Sequence, residues 1–300
     1  MAIPESQLTT WSNQGAVTTS AAVYNSVRTA IESNSSPLND QLDNIEIYLQ
    51  GSYSNKTNIF AESDVDIVVQ YNHTFKRNIT NLPVDQQRAY LNSYSNASYL
   101  WQHFKADVLR ALELYFGVQR VKCGNKAIKV IFPNSRITAD VIPALHYREY
   151  TRFNSVGNEH YFDGISFEDS AGNQIINFPK EHRKNSEDKN ASHRANQWYK
   201  PTVRIFKNAR SHLVDLGKIS EDSAPSYFVE SMVYNVPDNL FGQNYELTVQ
   251  NSINFLYQHQ FNKFICPNHQ HLLFGDESVH WDSDNMTHFL KELIVLWNNW

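Results

Sequence analysis

The chain is poor in cysteine and has no long apolar run, and each absence excludes a class of protein. Its 300 residues contain only Cys123 and Cys266, which lie far apart and lack the spacing of a metal site. We therefore predict two reduced core thiols in a cytoplasmic protein. No stretch approaches the ~18 apolar residues of a membrane span, and the N-terminal residues lack the pattern of a signal peptide. We expect no membrane association.

An excess of positive charge is also missing. The 26 Lys and Arg residues are outnumbered by 31 Asp and Glu residues, which gives a formal net charge of −5. This balance argues against a nucleic-acid duplex as a strongly bound partner, although a local basic groove is compatible with it. The hydrophobic content of 41% suffices for a core, and the length fits one large domain or two lobes.

Two aspartates, Asp64 and Asp66, begin an apolar run that is typical of a β-strand. Residues i and i+2 of a strand point to the same face, so both carboxylates project together and Val65 faces the other side. Neighbouring carboxylates repel each other unless a cation lies between them, and oxygen-only ligands suit Mg²⁺. Alone, an Asp-x-Asp pair is weak evidence, because such pairs also occur at exposed strand ends.

A third acid strengthens the interpretation. Asp140 lies in the strand-like run RITADVIPALHY, in which we expect Pro143 to end the hydrogen-bond ladder because proline cannot donate to it. Ahead of the paired acids stands Gly51-Ser52, a predicted turn whose backbone N–H groups and hydroxyl can approach a phosphate. Three carboxylates on two strands predict a two-metal site. With the turn, they indicate a protein that handles a nucleoside triphosphate and a metal.

Periodicity along the chain predicts an α+β fold. We predict helices over residues 6–33 and 84–116, the second ending at Gly117, and strands over residues 45–50, 65–71, 127–132, 136–145 and 161–167. Beyond Phe178 the strand alternation disappears, and the remainder predicts four or five helices with a mobile loop over residues 180–194. We therefore predict a mixed-sheet lobe with an N-terminal helix over residues 1–175 and a helical lobe over residues 176–300.

Three cations share one face of a predicted helix in the second lobe. Lys200, Arg204 and Lys207 follow each other at i, i+4 and i+7. One interpretation is a solvated basic face, which periodicity alone favours. The other is a clamp on a triphosphate, in which lysine acts as a point charge.

At these motifs the chain resembles the nucleotidyltransferases marked by Gly-Ser followed by Asp-x-Asp. It is most similar to the bacterial cGAS-like enzymes, the CD-NTases, and among them to clade E, through GSYSNKTNIFAESDVDIVV, TADVIPALHYREY and KPTVRIFKNARSHL. The resemblance covers nearly the whole chain. It implies a polymerase-β-like lobe and a C-terminal helical lobe, with the active site in the cleft between them.

The resemblance also implies roles for individual residues. Asp64 and Asp66 would hold two Mg²⁺ ions, for which Mn²⁺ can substitute, and Asp140 would complete the first metal site and help deprotonate the attacking ribose hydroxyl. The substrate-binding residues that it implies are Gln50, Gly51, Ser52, Lys207, Ser226 and Tyr227. Tyr227 would stack on a base, although an ordinary core aromatic explains its sequence context equally well.

The implied activity is the joining of NTPs into a cyclic dinucleotide, with a pyrimidine nucleotide such as UTP, with or without ATP, as substrate. The product would act as a second messenger in anti-phage defence, recognised by a downstream effector, and we expect the enzyme to be a monomer. One alternative is a transferase that adds nucleotides to RNA, a protein or a small molecule. Another is a catalytically silent nucleotide sensor, which the three acids disfavour because an unused buried carboxylate cluster is costly.

Overall fold

The chain folds as two units, and neither is one continuous segment. The computed structural model describes residues 2–15, 18–60, 64–133, 137–259, 261–276 and 279–300, without the side chain of Thr19. The first, here called the helical unit, comprises Met1–Val17, Gly51–Glu62 and Glu181–Trp300. The second, the sheet unit, comprises Thr18–Gln50 and Ser63–Lys180.

A mixed sheet of seven strands organises the sheet unit. Its strands are β1 (Ile45–Leu49), β2 (Asp64–Asn78), β3 (Val121–Cys123), β4 (Ile128–Ile131), β5 (Thr138–Ser155), β6 (Asn158–Glu168) and β7 (Gln174–Asn177). The order is β1-β2-β5-β4-β3, with β6 beside β5 and β7 beside β6. Strands β2 and β5 run parallel and the other pairs antiparallel, so the predicted mixed sheet is confirmed. Residue 136, where a strand was expected to begin, lies outside the described residues.

Strand β5 continues through Pro143 and stays paired with β2 beyond it, so the prediction that this proline ends the ladder is wrong. Pro143 pairs in register with Val69 of β2. On the other edge of β5, pairing with β4 ends at Val141 and pairing with β6 begins at Leu145. Proline therefore occupies the point at which β5 changes neighbours, where the missing N–H costs little.

The two long helices predicted in the first half of the chain are each interrupted and form two shorter helices. The observed helices are α1 (Glu5–Ser12), α2 (Thr18–Ile31), α3 (Gly51–Asn55), α4 (Val84–Ser93), α5 (Trp101–Phe116), α6 (Pro179–Asn190), α7 (Tyr199–Asp215), α8 (Ser226–Tyr234), α9 (Tyr245–Gln258) and α10 (Ser283–Asn299). The helix predicted over 84–116 is two helices, because the Asn- and Ser-rich segment 94–100 competes for backbone hydrogen bonds. Gly117 ends α5 as predicted, with φ +86° and its N–H on the Glu113 carbonyl.

The helix predicted over residues 6–33 is likewise two helices, α1 and α2, and residues 16 and 17 lie outside the described residues. The backbone of Gly15 packs so closely on Ile59 that a Cβ on it would lie 2.5 Å from the Ile59 carbonyl oxygen. A glycine is therefore required at this point of the chain.

Helix α6 replaces the mobile loop predicted over residues 180–194, and that prediction is wrong. Its inner face consists of His182, Ser186 and Lys189, at i, i+4 and i+7, and all three are buried. Lys189 Nζ donates to the Val236 carbonyl and pairs with Asp238, each at 2.8 Å. Because this buried face is polar, apolar periodicity gave no sign of the helix.

The two units do not divide at residues 175 and 176. The helical unit begins at residue 181 and also takes in the first residues and residues 51–62. Ile3 and Leu8 explain part of this division, because both are fully buried in one core with Tyr199, Val203 and other side chains of α7–α10. Packing, not chain order, therefore decides which unit a segment joins.

The environments of the two thiols differ. Cys266 is buried, as predicted, but Cys123 is exposed at the end of β3, so its prediction as a core thiol is wrong. Within the described part of the chain, no helix is both long and apolar enough to span a membrane.

Candidate active site

Two of the predicted acids lie directly opposite each other in the sheet. Asp66 of β2 pairs with Asp140 of β5, and Asp140 pairs with Lys129 of β4. Beyond β1, the backbone N–H of Gln50 donates to the Asp66 carbonyl at 3.0 Å. Since residues paired in register carry their side chains on the same face, Asp66, Asp140 and Lys129 form one cross-strand row.

The third acid lies in the next row on the same face. Asp64 pairs with Thr138, whose hydroxyl donates to the Asp64 carboxylate. The Asp64 side chain is 46% exposed, whereas Val65 and Ala139 are fully buried on the opposite face. The predicted division of the strand into an acid face and an apolar face is confirmed.

An ammonium group lies between two of the carboxylates. Lys129 Nζ is 3.5 Å from Asp64 Oδ1 and 3.6 Å from Asp140 Oδ1. Partial burial lowers the pKa of Lys129, but the two carboxylates outweigh it and the net shift is upward. Burial, reinforced by the Asp64 charge, raises the pKa of Asp140 above its ordinary value despite the opposing effect of Lys129. The raised pKa makes Asp140 a better proton acceptor than an ordinary aspartate, and a general base requires this property.

The donor set fits Mg²⁺ by its chemistry. Three carboxylates on one face of two adjacent strands supply the oxygen ligands that this ion prefers. Among the described residues, no three His, Cys, Asp or Glu side chains are gathered tightly enough to form a ready-made metal site. Instead, Lys129 supplies the positive charge between Asp64 and Asp140.

Gly51 and Ser52 open a short helix, α3, and not the simple turn that was predicted. Gly51 has φ +63°, a left-handed conformation that favours glycine. The Ser52 carbonyl accepts the N–H of Thr57 at 2.9 Å, which closes the chain back on the start of the helix.

The basic face of α7 is not solvated, so that interpretation is wrong. Lys200 is 6% exposed and Lys207 is 1% exposed. Lys207 Nζ donates to the Thr57 carbonyl at 3.0 Å, and Arg204 donates to the carbonyls of Ser12 and Lys56. Burial lowers the pKa of both Lys200 and Arg204. These cations hold the ends of two chain segments, and a phosphate contact by Lys207 stays a prediction.

Ser226 and Tyr227 begin α8. Tyr227 is 41% exposed, which argues against its interpretation as an ordinary core aromatic. Its ring lies 5.5 Å from that of His182, and burial of its hydroxyl end raises the pKa of Tyr227. A tyrosine that is partly exposed while its hydroxyl is buried suits the predicted stacking on a base.

Sequence reasoning missed Lys129 and a buried carboxylate, Glu230. Glu230 is 3% exposed on α8 and binds Asn55, Thr57 and His182. Burial alone would raise the pKa of Glu230, but His182, Lys207 and Thr57 outweigh it and hold that pKa below its ordinary value. A signal was present, because Glu230 interrupts the otherwise apolar and small run FVESMVY. For Lys129 the sequence contains no such signal, because its place beside Asp140 depends on the register of β4 with β5.

Comparison with known proteins identifies the family. Residues 184–298 match the C-terminal helical domain of cGAS/DncV-like nucleotidyltransferases. Over its whole length the chain is 40% identical to a cyclic UMP-AMP synthase of Rhodothermus marinus, of which it covers 99%. The chain belongs to the cGAS/DncV-like nucleotidyltransferases, the CD-NTases.

Further comparisons group this CD-NTase with the CdnE, or clade E, enzymes. It is 40% identical to the cyclic nucleotide synthase CdnE01 of Staphylococcus haemolyticus, with both chains fully covered. A solved structure of a Rhodothermus marinus CdnE c-UMP-AMP synthase with Apcpp and Upnpp matches at a TM-score of 0.88 and 39% identity, over 99% of this chain and 97% of that one. The family, the clade and the α+β fold with a helical C-terminal domain are thus confirmed.

Proposed function

We propose that this CD-NTase joins two nucleoside triphosphates into a cyclic dinucleotide. The observation that supports the proposal is the register of Asp66 with Asp140, which brings the acids of β2 and β5 to one face. UTP and ATP are the first substrates to test, because a relative 40% identical over the whole chain is a cyclic UMP-AMP synthase.

The reaction is an in-line displacement at phosphorus. A ribose hydroxyl of one nucleotide attacks the α-phosphorus of the other, the bond to the β-phosphate oxygen breaks, and pyrophosphate leaves. Asp64 and Asp66 would hold two Mg²⁺ ions and Asp140 would complete the first metal site, and the Asp140 carboxylate receives the hydroxyl proton. When bound, Mg²⁺ would lower the pKa of the attacking hydroxyl and neutralise charge on the leaving group. The linear dinucleotide keeps one triphosphate, so the same step closes the ring.

The remaining predicted residues bind substrate. Gly51 and Ser52 hold the triphosphate, and the exposed ring of Tyr227 stacks on a base, an interaction worth about 1–3 kcal/mol. Asp140 suits its role because burial raises its pKa, which makes its carboxylate a better proton acceptor than an ordinary aspartate.

We further propose that the product is a second messenger in anti-phage defence and acts on a downstream effector. The support is the family to which the chain belongs. Expression of the wild-type gene with its genomic neighbours should reduce phage plaques, and an Asp64→Asn/Asp66→Asn gene should not. Equal plaque counts with both genes would refute a defence role for the product and would leave the proposed chemistry unaffected.

The deciding experiment is incubation of the purified protein with α-³²P-labelled NTPs, singly and in pairs, with Mg²⁺ or Mn²⁺. A phosphatase-resistant product of cyclic dinucleotide mass supports the proposal and names the bases. Asp64→Asn/Asp66→Asn should abolish it, whereas Asp85→Asn/Asp215→Asn, the same charge change at exposed positions, should not. Label transferred only to added RNA or protein would indicate the linear transferase instead. Binding of NTPs without pyrophosphate release would indicate a silent sensor.

A further inference from the structure

A buried carboxylate links two segments of the helical unit to which substrate binding was assigned. Glu230 lies one helical turn beyond Ser226 on α8, and its side chain is almost completely removed from solvent. Its Oε1 accepts Asn55 Nδ2 at 3.0 Å and lies 2.9 Å from His182 Nε2. Its Oε2 accepts the Thr57 hydroxyl at 2.7 Å. Both oxygens are therefore engaged in different directions.

Two of these partners belong to the segment that starts with Gly51-Ser52. Asn55 is the last residue of α3. Thr57 is held at three points: its N–H donates to the Ser52 carbonyl at 2.9 Å, its hydroxyl binds Glu230, and its carbonyl accepts Lys207 Nζ at 3.0 Å. Only Thr57 separates Ser52 from the Glu230 carboxylate in this chain of hydrogen bonds.

The third partner faces the proposed base-binding residue. The His182 imidazole binds Glu230 on one side, and its ring lies 5.5 Å from that of Tyr227. Glu230 thus contacts the α3 segment directly and adjoins Tyr227 through His182.

Stability alone does not require a charge at this depth. A buried ion pair can often be replaced by apolar side chains of similar volume without loss of stability, because removing both charges from water is costly. A carboxylate with both oxygens hydrogen-bonded fixes the direction of each partner, which an apolar contact cannot do. The arrangement is therefore suited to setting geometry.

We propose that Glu230 is a positioning residue for nucleoside triphosphate binding, which sets Ser52 through Thr57 and Tyr227 through His182. This inference rests on the proposed function, since it assumes that Ser52 contacts the triphosphate and Tyr227 the base. One carboxylate then couples recognition of the two ends of the same nucleotide. Loss of the coupling should weaken NTP binding equally in the ground state and the transition state, which raises KM and leaves kcat nearly unchanged.

The test compares Glu230→Gln, Thr57→Val and the double variant with the wild type. We expect each single variant to raise KM for UTP or ATP about tenfold, with kcat within about threefold of wild type. The double variant should be no worse than the worse single one, because both remove the same interaction. Thr57→Ser keeps the hydroxyl and should restore the wild-type KM.

Thr248→Val is the matched control. Thr248 is also fully buried in the helical unit, but its hydroxyl binds Gly242 and Asn244, away from α3. It should lower the melting temperature as Thr57→Val does and leave KM unchanged. If Thr248→Val raises KM equally, the effect is general destabilisation and the proposal fails.

Direct binding of Upnpp, measured by calorimetry, separates this proposal from the proposed function. A wild type that binds no Upnpp and makes no product overturns both. A wild type that binds and turns over, alongside variants with unchanged KM and unchanged Upnpp affinity, overturns the positioning role alone. If Glu230→Gln does not fold, Thr57→Val and its Thr57→Ser rescue decide the question.

Discussion

Replacing Lys129 by methionine should tighten divalent-ion binding by the protein. The Lys129 ammonium lies 3.5 Å from Asp64 and 3.6 Å from Asp140, so an ion that takes both carboxylates must displace it. The three side chains are between 27% and 46% exposed. Ion pairs in such positions contribute about 0.2–1 kcal/mol each. Two such pairs correspond to roughly a 2- to 30-fold lower Kd for the ion, at 1.36 kcal/mol per factor of ten.

Titration with Mn²⁺, followed by the EPR signal of the free ion and without nucleotide, measures this Kd directly. Lys291→Met is the control, because it removes the same charge from an exposed site on α10. In EDTA the Lys129→Met protein should melt at a lower temperature than wild type, because the acids then lack a counter-ion, and Mn²⁺ should reverse the loss. An unchanged or higher Kd for Mn²⁺ would refute the competition. A raised KM for NTP with the same Mn²⁺ affinity would show that Lys129 binds phosphate instead.

Three further predictions concern the helical unit. Since the pKa of Glu230 is held below its ordinary 4.5, its contribution to stability is full above pH 4.5 and disappears as the pH falls through the folded-state pKa. The difference in unfolding free energy between wild type and Glu230→Gln, from urea titrations, should therefore shrink below pH 4.5; a difference that grows on acidification would contradict the shift. Gly15→Ala should cost about 1–3 kcal/mol, because its Cβ would meet the Ile59 carbonyl at 2.5 Å; an unchanged melting temperature would show that the backbone yields freely. Lys189→Met should cost about 1–3 kcal/mol, because the buried Val236 carbonyl loses its donor, whereas Asp238 keeps its pair with Arg194; a melting temperature equal to that of the wild type would contradict this.

Local sequence was enough to predict the acid face of β2. Asp64, Val65 and Asp66 alternate in exposure because side chains of a strand alternate between faces, whatever the neighbouring strands are. The end of helix α5 at Gly117 could also be predicted from local sequence, because a single residue with positive φ ends the helical hydrogen-bond pattern.

Features that depend on pairing or packing escaped prediction. The role of Pro143 follows from where β4 gives way to β6, and that of Lys129 follows from the β4–β5 register. Helix α6 was missed because polar partners bury its inner face. Lys207 was expected near solvent or phosphate, and only the fold shows that it is buried against Thr57. Each of these four features depends on tertiary contacts, which the periodicity of the local sequence does not encode.

The discontinuous make-up of the helical unit has a consequence for synthesis on the ribosome. Ile3 and Leu8 emerge long before the α7–α10 side chains against which they pack. Thr57 likewise waits for Glu230 before its hydroxyl has a partner. The sheet unit is complete once residue 180 has emerged, while the nascent helical unit still lacks most of its core. Chains stalled at about residue 180 should hold a native-like sheet while residues 3–8 stay sensitive to protease, and residues 3–8 should become protected only after α7–α10 have emerged.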